Sequence, residues 1–142
     1  MMPRTKEVPK ERFKIFKDKA GEFYTSMEDA FDRGNYDACV SNAVHCAICI
    51  VDALTVSRLG KKSSAQNHIE AALLLKETKT SDENEKARML PRLHALLELK
   101  TLAEYEDRTM SKSEAEKAIG HCNKVYAFIK RELETNKVRS DG

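Results

Sequence analysis

Apolar positions recur every three or four residues along most of this chain, the spacing that lines one face of an α-helix. No stretch alternates in twos as a half-buried strand would. Phe13, Phe16, Ala20, Phe23, Met27 and Ala30 form one such seam and predict a first helix from about Lys10 to Arg33. Gly34 ends it, and Asn35 suits the cap of the next. From Tyr36 to Leu59 apolar residues cover most of the circumference. The polar positions Asp37, Ser41, His45, Asp52 and Thr55 fall within roughly a quarter turn at about 100° per residue. A helix with so narrow a polar stripe is the central element of a bundle. Gly60, Lys61, Lys62, Ser63 and Ser64 read as a loop, followed by a short helix from about Ala65 to Glu77 with Ile69, Ala72 and Leu73 inward.

After a second loop, Thr78 to Asp82, a fourth helix is predicted from about Glu83 to Arg108, kinked at Pro91. Met89, Leu90, Leu93, Leu96 and Leu97 share one arc of it. Lys100 and Glu104 fall within that arc, four residues apart and able to meet. A charge on an apolar face must be paired or must act, so function is expected to leave a mark there. Ser111 and Glu114 have capping-box spacing. The stripe Ala115, Ala118, Ile119, Cys122, Val125, Tyr126, Ile129 and Leu133 then predicts a fifth helix from about Ser113 to Lys137. The pattern as a whole predicts an all-α antiparallel bundle of about five helices. Residues 1–9, with two prolines and several charges, are expected to form a flexible tail. Residues 10–137 form one domain, and 138–142 a frayed end.

Composition adjusts this picture little. The 142 residues suit one domain with a real core. A net charge of +2 argues against nucleic-acid binding by bulk electrostatics, so any basic patch must come from local clustering. The start of the chain lacks the apolar run of a signal peptide, and the most apolar stretch, Ala43 to Val56, is short of the about 20 residues a spanning helix needs. A cytoplasmic protein away from membranes is expected, with Cys39, Cys46, Cys49 and Cys122 as reduced thiols.

The segment from Leu90 to Leu133 resembles the HEPN domain family, small all-helical domains found in prokaryotic toxin systems and as nucleotide- or RNA-linked modules. One branch of that family has a basic residue followed by an acidic residue and a tyrosine, then a short loop and a Ser-x-x-Glu-Ala helix start. Lys100, Glu104, Tyr105, Ser111, Glu114 and Ala115 match that order. Upstream, Gly34, Asn35 and Tyr36 open a helix rich in small residues, and Leu59, Gly60, Ser64 and His68 look like the loop and histidine that follow it. The resemblance covers roughly residues 10 to 135 and implies a HEPN-like topology, a homodimer and a partner nucleotidyltransferase. The branch typically carries arginine where this chain has Lys100, and the arginine–histidine signature of the ribonuclease members has no clean copy.

The candidate sites follow from these patterns. Lys100, Glu104 and Tyr105 are either a polar binding site in a groove or an ion pair that fixes helix register. Lys61 and Lys62, with His68 at a helix start, could hold a phosphate; the alternative is a loop of solvated lysines. Arg88 and His94 are the nearest approach to a ribonuclease pair. Metal-independent cleavage needs a general base near the 2′-hydroxyl and a cation on the phosphate, but an ideal helix sets these two about 120° apart. Arg92 lies closer in sequence to His94, at the wrong spacing. His45 with Cys49, or Cys46 with Cys49, lies mid-helix with no second ligand pair, so no metal and no cofactor are expected. The expectation is a non-catalytic module linked to a nucleotide or RNA in a toxin–antitoxin-type system. The alternatives are a ribonuclease toxin with a degenerate site and a structural adaptor bundle.

Overall fold

The computed structural model describes residues 4–64 and 69–141. Among them the chain forms β1 (Thr5–Glu7), a 3-10 turn (Lys10–Arg12), α1 (Phe13–Asp32), α2 (Tyr36–Leu59), β2 (Lys61–Ser63), α3 (Ile69–Glu77), α4 (Glu83–Tyr105) and α5 (Lys112–Asp141). It is an all-α bundle with one small two-stranded ribbon. α1, α3, α4 and α5 all lie against α2, which is buried at nearly every position from Cys39 to Val56. Small residues make this close approach feasible. Ala43, Cys46 and Ala47 of α2 and Ala115, Ala118 and Cys122 of α5 are all fully buried, and larger Met27, Ile50, Leu54, Leu93, Leu96 and Ile129 fill the space around them. By length and composition α2 alone would be long and apolar enough to cross a membrane. Here 78% of its most apolar window is covered by the rest of the bundle.

Both ends of α2 lie where the sequence places them. Gly34 and Gly60 adopt left-handed φ angles of 76° and 69° that a residue with a Cβ would resist. The Gly60 amide donates to the Val56 carbonyl and closes the helix. At the start of α5 the Ser111–Glu114 capping box is complete. The Ser111 amide donates to the Glu114 carboxylate at 2.8 Å, and the Glu114 amide donates to Ser111 Oγ at 3.1 Å.

Four boundaries differ from the periodicity. Residues 5–7, expected in a flexible tail, pair antiparallel with residues 61–63, which were expected to be a loop. Val8 is then buried and its amide donates to the Gly60 carbonyl. Of the residues expected inward, Ala72 is buried, Leu73 is half-buried and Ile69 is half exposed; Ala71, Leu74 and Leu75 also turn to the core. α4 stops at Tyr105, before Arg108, because the Arg108 guanidinium is held by Glu106 and by both oxygens of Glu114 in the connection to α5. α5 continues through 138–141 rather than fraying at 137. Pro91 lies inside α4 without ending it.

The connection between α3 and α4 is pinned by buried charge. Glu132 of α5 accepts from the Ser81 amide at 2.6 Å, the Ser81 hydroxyl at 2.5 Å and Arg58 of α2 at 3.2 Å. Arg58 also donates to the carbonyls of Lys79 and Glu132. Beside it the buried Lys86 ammonium donates to the carbonyls of Lys76 and Thr78 and to the Glu83 carboxylate, three acceptors for three hydrogens.

Candidate functional site

Lys100 and Glu104 do form an ion pair, at 3.1 Å, but not a buried one: their side chains are 28% and 54% exposed. Tyr105, the last residue of α4, is 81% exposed. The apolar arc predicted to enclose them is covered as far as Leu97, whereas Thr101, Leu102, Glu104 and Tyr105 all face outward. The pair therefore sits at the rim of the bundle, where the ionic attraction is moderated by water.

Lys100 has a second neighbour that spacing along one helix could not reveal. The His45 imidazole of α2 stacks on Phe23 of α1, centroids 5.1 Å apart and planes 29° from parallel. Burial and then the positive charge of Lys100 lower its pKa, so the ring is neutral at pH 7. A cation of α4, an imidazole of α2 and a phenyl ring of α1 thus meet at one partly open junction. Lys100→Met is expected to move the His45 pKa back toward its ordinary value, read by NMR titration of the imidazole. No movement would mean that burial alone sets it.

Further along the same stripe of α2, Asp52 is only 6% exposed, and burial raises its carboxyl to about 7. Lys62 of β2 opposes that shift from 3.7 Å and lies 5.3 Å from the centroid of the Phe16 ring. Lys61 and Lys62, expected in an open loop as phosphate-holding residues, belong to a strand, and the Lys62 ammonium faces Asp52. His68, expected with them, lies outside the described residues.

Arg88 and His94 are not brought together. Arg88 is 69% exposed and pairs with Glu85 at 2.8 Å, while His94 is exposed on another side of α4. The arginine and histidine that do meet are Arg92 of α4 and His121 of α5, with Nη1 to Nδ1 at 3.4 Å. Sequence spacing missed this pair because its members lie on different helices. Only the register between α4 and α5 brings them together.

The thiols are structural. Cys46 hydrogen-bonds Cys122 across the seam of α2 and α5, and that bond together with burial raises its pKa well above the usual thiol range. Burial lifts Cys39 and Cys49 to about 11. Among the described residues no three of His, Cys, Asp or Glu gather in a way that could hold a metal ion.

A family model described as HEPN domain matches residues 13–133, from the first residue of α1 to the buried Leu133 of α5. Comparison with the curated proteins gave no match, and comparison with solved structures gave none.

Proposed function

The chain belongs to the HEPN domain family, and on that premise we propose that it is a non-catalytic binding module for RNA or a nucleotide. The observation that carries the reading is the separation of Arg88 from His94. The guanidinium is paired with Glu85 on another side of α4, so Arg88 does not stand beside that imidazole to share a scissile phosphate. The junction of Lys100, His45 and Phe23 supports a binding role, since it offers a cation beside aromatic rings. In the same proposal the module works as a homodimer in the cytoplasm with a nucleotidyltransferase partner, as in toxin–antitoxin-type pairs. The exposed Leu102 and Tyr105 at the end of α4 support a contact with another chain.

A ribonuclease is the second reading, favoured by one observation, the contact of Arg92 with His121. The test is incubation of purified protein with mixed RNA in the absence of metal, with His94→Ala, Lys100→Ala and His121→Ala alongside, and binding of the same RNA and of ATP measured in parallel. Binding without cleavage, weakened by Lys100→Ala, is the expected result. Turnover abolished by His94→Ala or His121→Ala would replace the binding module with an enzyme.

A further inference from the structure

The contact between Arg92 and His121 sits in the middle of a strip of positive charge that the near-neutral composition conceals. On α5, Lys117 and Lys124 are four residues before and three after His121, so all three share a face. Arg131 continues it, making Lys117, Lys124 and Arg131 recur every seven residues. These three are exposed, and His121 and Arg92 are half-buried. On α4, Arg88 is one turn before Arg92. Glu85 and Glu114, one turn before Arg88 and Lys117, are each already tied to an arginine, Arg88 and Arg108, while Glu116 and Glu134 flank the strip beside Lys117 and Arg131. Among the described residues no carboxylate pairs with Arg92.

Two details suggest that the strip is shaped for an anion rather than merely solvated. A guanidinium has no acceptor, so in its contact with Arg92 the Nδ1 of His121 must accept, and the ring proton sits on Nε2. Burial and Arg92 both lower the His121 pKa, which keeps the ring neutral in that tautomer. The Nε2–H of His121 and the remaining guanidinium N–H groups of Arg92 are then donors on two touching, half-buried side chains. The second detail is Gly120, an exposed glycine inside α5 and next to His121 on the same face as Lys117 and Lys124. A Cβ built there would meet nothing within 4 Å, so packing does not require glycine, although glycine costs a helix about 1 kcal/mol relative to alanine. It leaves a bare spot between two lysines where a ligand backbone can come close to the helix.

We propose that the outer face of α4 and α5, centred on Arg92 and His121 and flanked by Lys117, Lys124 and Arg131, binds the phosphodiester backbone of single-stranded RNA. This rests on the RNA-binding reading above and gives it a surface distinct from the junction at Lys100. From Lys117 to Arg131 the strip runs about 21 Å at 1.5 Å per residue, far longer than the phosphates of one mononucleotide and suited to several consecutive phosphates. Cations spaced along a helix, without aromatic rings between them, read backbone rather than base, so little sequence preference is expected.

The test is fluorescence anisotropy of a labelled mixed-sequence 12-nucleotide RNA with the full chain across a salt series, with ATP as a separate arm. Lys117→Gln/Lys124→Gln is expected to weaken RNA binding on the order of tenfold at 0.1 M salt, and to reduce the slope of log K against log salt by about 1.4, two phosphate contacts at about 0.7 each. Lys17→Gln/Lys130→Gln removes the same charge from the groove between α1 and α5 and is expected to bind like wild type. Gly120→Leu fills the bare spot without touching charge and is expected to weaken binding severalfold while the thermal midpoint holds or rises. Unchanged affinity and slope in Lys117→Gln/Lys124→Gln, with wild type binding RNA, would overturn the strip and leave the RNA reading intact. ATP binding without RNA binding would overturn the strip and keep the nucleotide reading. A wild-type chain that binds neither would remove both proposals.

Discussion

Glu132→Ala is expected to lower the stability of the fold by about 3–5 kcal/mol, the cost typical of removing one member of a buried ion pair. The carboxylate is almost fully buried. Burial pushes its pKa up, but the Ser81 hydroxyl and amide and the Arg58 guanidinium outweigh that push and leave it below the usual carboxylate value. Removing it strands three donors at once. Arg58 fares worst, because its Nε already lacks a hydrogen-bond partner and its guanidinium would keep only the carbonyls of Lys79 and residue 132. The damage would spread beyond α5, since Ser81 immediately precedes Asp82, whose side chain caps α4 by accepting from the Glu85 amide. Urea unfolding followed by circular dichroism measures the loss. Glu132→Gln, which retains one acceptor and the side-chain volume, is expected to fall between wild type and alanine. A loss below about 1 kcal/mol for alanine would mean that water replaces the carboxylate and that the network contributes position rather than stability.

Asp52→Asn is expected to act in the opposite direction, and increasingly so as pH rises above about 4. The folded chain holds the Asp52 carboxyl at about 7, against an ordinary value of 3.8. Between those values the folded state retains a proton that the unfolded chain has released, so wild-type stability declines as pH rises through the interval. Above it, the fold carries an ionised carboxylate under α1 and β2. Lys62 compensates only in part, since 3.7 Å is long for an ammonium–carboxylate contact. Asparagine removes the charge and keeps the shape, and the partly exposed Lys62 can turn to water. A gain of about 2 kcal/mol at pH 8 is therefore expected, shrinking as pH falls through the interval and vanishing only near about pH 4. Thermal melts of both proteins across that range decide the matter. A variant less stable than wild type at pH 8 would show that the pair with Lys62 outweighs the cost of burial.

Where the determinants are local, the sequence carries them openly. Gly34 and Gly60 bracket α2 because a left-handed residue is needed at each helix end, and Ser111 with Glu114 starts α5 because their side chains answer each other's amides. The meeting of Lys100 with Glu104 was legible for the same reason: it is a property of one helix. Its exposure was not, because burial depends on how far neighbouring helices extend along α4. The pairing of Thr5–Glu7 with Lys61–Ser63 escaped periodicity altogether, since three-residue strands are too short to show alternation and their partners are far apart in the chain. The junction of His45 with Lys100 and the contact of Arg92 with His121 depend on the placement of different helices. Periodicity predicts which face of a helix turns inward, but not which residues of two helices come level.

The apolar girth of α2 has a consequence during synthesis. The helix has a mean hydropathy of 1.7 over its most apolar window, and of the described bundle helices α1 alone precedes it. Until α4 and α5 leave the ribosome, much of that surface has nothing of its own to rest against. The nascent chain therefore presents a segment that membrane-insertion machinery and chaperones can both engage, and a chain released before α5 would expose it permanently. Placing the last cover of the core on α5 makes the synthesis of that helix a condition of closing the core.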